Sequence, residues 1–155
     1  MAEVFPVKPF QFRLQTKLDI TAREEQLARD ELHTKLLARD IVQAELEKVN
    51  DKLFGVEVSI KQLFEGSFCI EKVLLLKAFV PVLKALRTEK EEEMINCEIS
   101  IEKARALLIE KIKEAKILNN LRDKEWQSYL LELLKEEQKI IDEIATNSHY
   151  KANLS

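Results

Sequence analysis

The sequence predicts an all-α fold: a long antiparallel two-helix coiled-coil hairpin whose C-terminal helix is the longer. Three observations predict it. The 155 residues contain only two glycines and three prolines, and a compact sheet protein needs many turns that such a chain cannot make. Charged residues make up 34%, with Ala, Glu, Lys, Leu and Arg dominant, a composition of long helices. Apolar residues recur for many turns in alternating steps of four and three, the 3.5-residue period of a coiled-coil seam rather than the broad face of a globular helix.

The chain forms a single elongated domain in this reading. Residues 1–9 are expected to be a flexible end, because Pro6 and Pro9 disfavour helix in the residues before them. Helix 1 is expected over about residues 10–64, some 54 residues and roughly 80 Å at 1.5 Å per residue. Its stripe is Leu14, Leu18, Thr21, Glu25, Ala28, Leu32, Lys35, Arg39, Val42, Leu46, Val49, Leu53, Val56, Ile60 and Leu63. A turn is expected at 65–68, where Gly66 would take the left-handed conformation and Ser67 would cap the next helix. Helix 2 is expected over about 69–146, kinked near Pro81, with 148–155 a second flexible end. Its stripe is Ile70, Val73, Leu76, Val80, Leu83, Leu86, Lys90, Met94, Cys97, Ile101, Ala104, Leu108, Ile112, Ala115 and Leu118.

The stripes are mutually consistent. A turn at Gly66 makes facing position numbers add to about 133 in an antiparallel pair. Leu63 then faces Ile70, Leu46 faces Leu86, Leu32 faces Ile101, Thr21 faces Ile112 and Leu14 faces Leu118. Lys35 falls near Cys97 and Glu98. A heptad shift overlays the stripes almost as well but requires a longer loop than the sequence supplies. Residues 120–148 are expected to overhang alone, still carrying Trp126, Tyr129, Leu130, Leu133, Leu134, Ile140, Ile141 and Ile144. An exposed apolar stripe of this kind marks a contact surface, and Trp126 and Tyr129 share one of its faces. Phe54, Phe64, Phe68, Leu75 and Phe79 crowd the tip beyond what a two-helix seam can bury, which makes the tip a second candidate surface.

Several function classes fall away. A net charge of −3 offers no global basic field for nucleic acid. Cys69 and Cys97 lack zinc spacing and histidine partners, and read as buried free thiols. There is no metal site, no Gly-rich phosphate loop and no HExxH. His33 and His149 have no evident partner. The run Glu89–Lys90–Glu91–Glu92–Glu93 reads as a solvated face. The basic stretch between Lys103 and Lys124 reads as balanced by Asp19, Glu24, Glu25, Asp30 and Glu31 of helix 1. No apolar run approaches the ~18 residues a membrane span needs. A two-helix seam has no enclosed pocket to desolvate a substrate, so the reading is a non-enzyme that requires no cofactor and works by binding proteins.

The two ends carry a resemblance. Phe10-Gln11-Phe12-Arg13-Leu14-Gln15, with Leu18 and then Arg23-Glu24-Glu25, is similar to the F-x-F-R-L opening of the FliJ family, small coiled-coil components of the flagellar type III export apparatus. Trp126-Gln127-Ser128-Tyr129, followed by Glu136-Glu137-Gln138-Lys139-Ile140-Ile141-Asp142-Glu143-Ile144-Ala145, resembles its closing E-Q-K-x-[LI]-D-E-[LI]-A. The resemblance spans the chain; Pro81 departs from it. It implies a stalk similar to the central-stalk coiled coil of rotary ATPases. Such a stalk inserts its joined ends into a hexameric export ATPase, contacts an export-gate membrane protein and takes part in handling export chaperones. It would be a cytoplasmic protein of bacterial motility, peripheral to the inner membrane at the flagellar base, without direct membrane insertion. The ATPase-facing candidates are Phe12, Arg13, Leu14, Glu137, Gln138, Lys139, Asp142 and Glu143, with Trp126 and Tyr129 beside them. The gate-facing candidates are Phe54, Phe64, Phe68, Leu75 and Phe79. The equivalent stalk of a virulence-type secretion system, or a purely structural dimer using the seam between chains, are the alternatives.

Overall fold

The computed structural model describes residues 8–66 and 69–155. Two long helices pack against each other: α1 spans Gln15–Glu65 (51 residues) and α2 spans Ile70–Asn153 (84 residues). The chain forms two compact units, one of Met1–Glu25 with Lys111–Ser155 and one of Gln26–Glu110, and each helix contributes to both.

The helix ends differ from the sequence expectation for local reasons. α1 starts at Gln15 rather than near Phe10. The Gln15 N–H donates to the Phe12 carbonyl at 3.0 Å, a tight turn that leaves residues 8–12 outside the helix and frees Phe10 and Phe12 to point at α2. At the other end, neither Gly55 nor Gly66 has a positive φ. The Gly66 N–H instead donates to the Gln62 carbonyl at 3.0 Å, one more turn of ordinary helical bonding, so no left-handed glycine ends α1. The expected cap at Ser67 lies outside the described residues. α2 runs through Pro81 as one helix and continues to Asn153, past the expected stop near Thr146. Proline removes one donor, yet the helix continues on both sides of it.

The α1 stripe is as expected: every member from Leu14 to Leu63 is buried or half-buried. The α2 stripe needs three corrections. Ile70, Leu86 and Ile112 are exposed, at 59%, 37% and 37%, while Arg87 and Lys111 are half-buried in place of the last two. From Leu83 the covered positions are then 87, 90, 94, 97, 101, 104, 108, 111, 115 and 118, an unbroken alternation of four and three. Apolarity had favoured Leu86 and Ile112, but the period places their charged neighbours on the seam. Long basic side chains fit there because their methylene stems bury; the Lys111 head group reaches acidic partners, whereas the Arg87 Nε is buried without a hydrogen-bond partner, 3.8 Å from Glu91.

What those head groups reach sets the register. In the unit formed by the chain ends, Lys111 Nζ lies 2.9 Å from Glu24 and 3.4 Å from Glu114. In the other unit, Lys90 Nζ lies 2.7 Å from Glu45 and 3.2 Å from Glu93. The second Glu–Lys–Glu bridge repeats the first, each residue displaced by three heptads. Both bridges join α1 residues to α2 residues running the opposite way. A heptad slip in one direction would set Lys90 against Lys52 while Lys111 met Glu31; in the other it would set Lys111 against Lys17 and Lys90 against Ala38, so each slip loses at least one bridge. The bridges therefore discriminate among registers that the apolar stripe alone leaves nearly equivalent. Lys35 lines a shallow groove with Glu31, Ser100 and Lys103.

Glu24 raises the pKa of Lys111 and Glu45 raises that of Lys90, in each case first through its hydrogen bond, against the opposing cost of desolvation. A raised lysine pKa stabilises the fold below the ordinary lysine range and loses that contribution as pH climbs through the raised value. The bridges therefore do not respond to pH near neutrality.

The core is narrow. In the central unit Ala28, Val49, Leu53, Val73, Leu83, Ile101 and Ala104 are buried, and Ile101 is fully so. Ile101→Ala should cost about 2–5 kcal/mol, read as a lowered denaturant midpoint. A Cβ added at Gly55 meets nothing within 4 Å, and one at Gly66 meets only the Gln62 carbonyl at 3.4 Å. Gly55→Ala should stabilise by about 0.5–1 kcal/mol, and Gly66→Ala should be neutral or stabilising in the same assay, where a left-handed glycine would make it destabilising.

Candidate partner-binding site

The unit formed by the chain ends holds the first group of candidates. Phe12 is buried at 6% with Leu18 and Leu118, and Phe10, Leu14 and Leu121 pack against them. Phe10 then lies across α2. Its ring meets Trp126 edge-on, with centroids 5.1 Å apart and planes at 74°, and meets Tyr129 at 5.6 Å. Trp126 and Tyr129, three residues apart on one helix face, are themselves stacked at 5.6 Å. The edge-to-face contact suits the opposed quadrupoles of aromatic rings. Arg13 Nε lies 3.4 Å from Glu125 with its side chain 75% exposed, a pair worth little by itself.

This clasp changes the status of several predicted residues. Phe12 and Leu14 are core or core-edge residues rather than an open contact surface. Trp126 and Tyr129 have an intramolecular partner, so α2 does not overhang from residue 120. The non-helical stretch 8–11 borders a groove with Tyr129 and Glu132 of α2. Phe10 is the residue that sequence reasoning missed as an anchor. No helical period points to it, because it lies outside α1.

Beyond the clasp the second group stands apart. Glu137, Gln138, Lys139, Asp142 and Glu143 are all exposed, and every residue from 141 to 155 is exposed. The first of them is eight residues past Tyr129, about 12 Å along the helix. Their side chains are tied along the helix: the Gln138 amide donates to Asp142 at 2.9 Å, and Lys139 meets Glu136 at 2.8 Å, a hydrogen bond that raises the Lys139 pKa. Leu131, Leu134, Ile141 and Ile144 are 57–61% exposed among these charges. The predicted joined-end site thus divides into a packed clasp, with Arg13 at its surface, and an open helical segment carrying both charge and aliphatic side chains.

The predicted tip residues lie in the other unit. Phe54, Phe64, Leu75 and Phe79 are exposed at 69%, 54%, 73% and 45%; Phe68 lies outside the described residues. The Lys77 ammonium sits 5.5 Å from the centre of the Phe64 ring. Leu75 and Phe79 line an open apolar groove with Leu76, Ala78 and Val82, whereas Phe54 and Phe64 do not border it.

Among the described residues no three His, Cys, Asp or Glu side chains are grouped to hold a metal ion. Cys69 and Cys97 are half-buried free thiols rather than the fully buried ones expected, and the His149 ring is within 3.0 Å of the Asn153 amide, a partner the sequence reading did not foresee. Among the described residues no helix is long and apolar enough to cross a membrane. The clasp is testable through Trp126, the single tryptophan. Phe10→Ala should shift its emission to longer wavelength and lower stability by about 2–4 kcal/mol, while Gln11→Ala should change neither.

No curated protein matches the chain, and no solved structure does. The family model described as "Flagellar FliJ protein" matches residues 10–154, a span that opens on Phe10 of the clasp and takes in the exposed helical segment. The chain belongs to the FliJ family of flagellar proteins.

Proposed function

We propose that this protein is a non-catalytic stalk of flagellar type III protein export, a long antiparallel two-helix coiled-coil hairpin that binds and stimulates a hexameric export ATPase. The observation that carries the reading is the bare end of α2. Past the clasp the chain continues as a helix exposed on all sides from residue 141, within the family match. A single helix of about 10 Å diameter fits a ring pore that a wider domain would not enter. Its mixture of acidic, amide, basic and aliphatic side chains suits a surface that meets several like subunits without one fixed register.

In this reading Glu137, Gln138, Lys139, Asp142 and Glu143 make the ATPase contacts, with Arg13 at the mouth of the clasp. Phe12, Leu14, Trp126 and Tyr129 act indirectly, by holding the chain start against α2. The tip contacts the export gate, and export chaperones are further partners. The protein works in the cytoplasm at the flagellar base. Family membership favours the flagellar apparatus over a virulence-type secretion system.

The test is hydrolysis and ring assembly by the cognate export ATPase over a concentration series of this protein. Wild type should stimulate both. Glu137→Lys combined with Asp142→Lys should raise the concentration needed for half-maximal stimulation by about tenfold, a loss of about 1.4 kcal/mol. Arg13→Ala should have a smaller effect. Absence of stimulation would sink the stalk reading and leave a structural coiled coil; stimulation unchanged in the double variant would move the contact elsewhere.

A further inference from the structure

The segment of α2 after the inter-helix turn breaks the pattern of the rest of the chain. The protein has 28 acidic residues, yet none occurs from Lys72 to Thr88, while Lys72, Lys77, Lys84 and Arg87 do. In a helix packed on one neighbour the outward face is where charge is expected. Here the covered positions are Val73, Leu76, Val80 and Leu83. The opposite face is Leu74, Leu75, Ala78, Phe79, Val82 and Leu86, all exposed: Leu74 at 61%, Leu75 at 73%, Phe79 at 45%, Val82 at 59% and Leu86 at 37%. At about 100° per residue these six positions, with Pro81, fill an uncharged arc about 160° wide. Lys77 and Lys84 border one edge and Lys72 the other. All three lysines are exposed, and none forms an ion pair among the described residues.

We propose that this outward face of α2, from Leu74 to Leu86, adsorbs onto an anionic lipid surface. A broad apolar face on a helix lying in the interface, with lysines along both margins, buries its side chains at the headgroup–acyl boundary while the ammonium groups reach anionic headgroups. The charge pattern is complementary to such a surface: three lysines without ion pairs among the described residues flank the face, and the exposed carboxylates on its line, Glu71 and Glu89, lie beyond its two ends. The width of the arc favours a lipid surface over a partner helix, which would use a strip only two positions wide. The face lies on the membrane and does not span it, in keeping with the absence of a membrane-spanning helix among the described residues. This inference does not depend on ATPase binding, which the proposed function assigns to the other end of α2, and it gives Leu75 and Phe79 to lipid in place of the export gate, leaving Phe54 and Phe64, which do not border this groove, to the gate.

Flotation of the full-length protein with lipid vesicles tests it. Partition onto vesicles containing about one-third phosphatidylglycerol should exceed that onto pure phosphatidylcholine by about 100-fold at low salt, and the preference should collapse in high salt. Leu75→Ser combined with Phe79→Ser should weaken binding to the anionic vesicles by about tenfold or more. Lys72→Gln, Lys77→Gln and Lys84→Gln together should erase the preference. Circular dichroism should show unchanged helix in both variants, since every substituted side chain is exposed. Equal binding to both vesicle types, no binding to either, or wild-type binding by the Leu75/Phe79 variant would each overturn the proposal. If neither vesicle is bound and the same variants weaken binding to the gate protein, the face is a protein contact and not a lipid one.

Discussion

The structure depends on a seam one residue wide that must keep a 3.5-residue period over long stretches of two helices. So narrow a core buries few side chains completely, and among the described residues Ile101 is the one large side chain fully out of solvent. Apolar contact alone specifies such a seam poorly, because displacement by a heptad restores nearly the same contacts. The chain meets this with Lys90 and Lys111, set on the seam and bridged across it to Glu45 and Glu24. Each bridge is weak as a source of stability. Their value is discriminatory: a slipped register sets Lys90 against Lys52, or Lys111 against Lys17, and like charges in contact are disfavoured.

The same constraint explains what the sequence made legible. The two helices, their order and the whole α1 stripe follow from period and composition, because a heptad repeat over this length has no competing local structure. Leu86 and Ile112 were misplaced because apolarity and periodicity disagree at those steps, and packing obeys periodicity while lysine and arginine stems supply the missing apolar surface. Gly66 was read as a left-handed stop because glycine commonly serves as one, but its N–H had a helical acceptor at hand. The clasp was invisible for a different reason: Phe10 lies outside any helix, so no period points to it, and only its position relative to Trp126 and Tyr129 marks it.

The clasp and the bare helix end have opposite physical characters within the chain-end unit. Aromatic packing reaches Trp126 and Tyr129 of α2; every residue from 141 onward is exposed. Isolated helices are marginal in water, and here side-chain bonds at i,i+3 and i,i+4, among them Gln138 with Asp142 and Lys139 with Glu136, support the exposed stretch. For the proposed ATPase contact, a helical end already ordered in this way would lower the entropy lost on binding. The two ends of the chain thus differ: the opening aromatics fasten the start of the chain to α2, and the closing charged run is exposed.

The account rests on the two helices pairing within one chain in the register of the Lys90 and Lys111 bridges. A cysteine pair at positions 45 and 90, with Cys69 and Cys97 replaced by serine, tests this directly by mild oxidation and non-reducing electrophoresis. The account predicts a disulfide within the monomer, with the control pair at positions 52 and 90 failing to close. Bridging between chains, or closure of the 52–90 pair in preference, would contradict it.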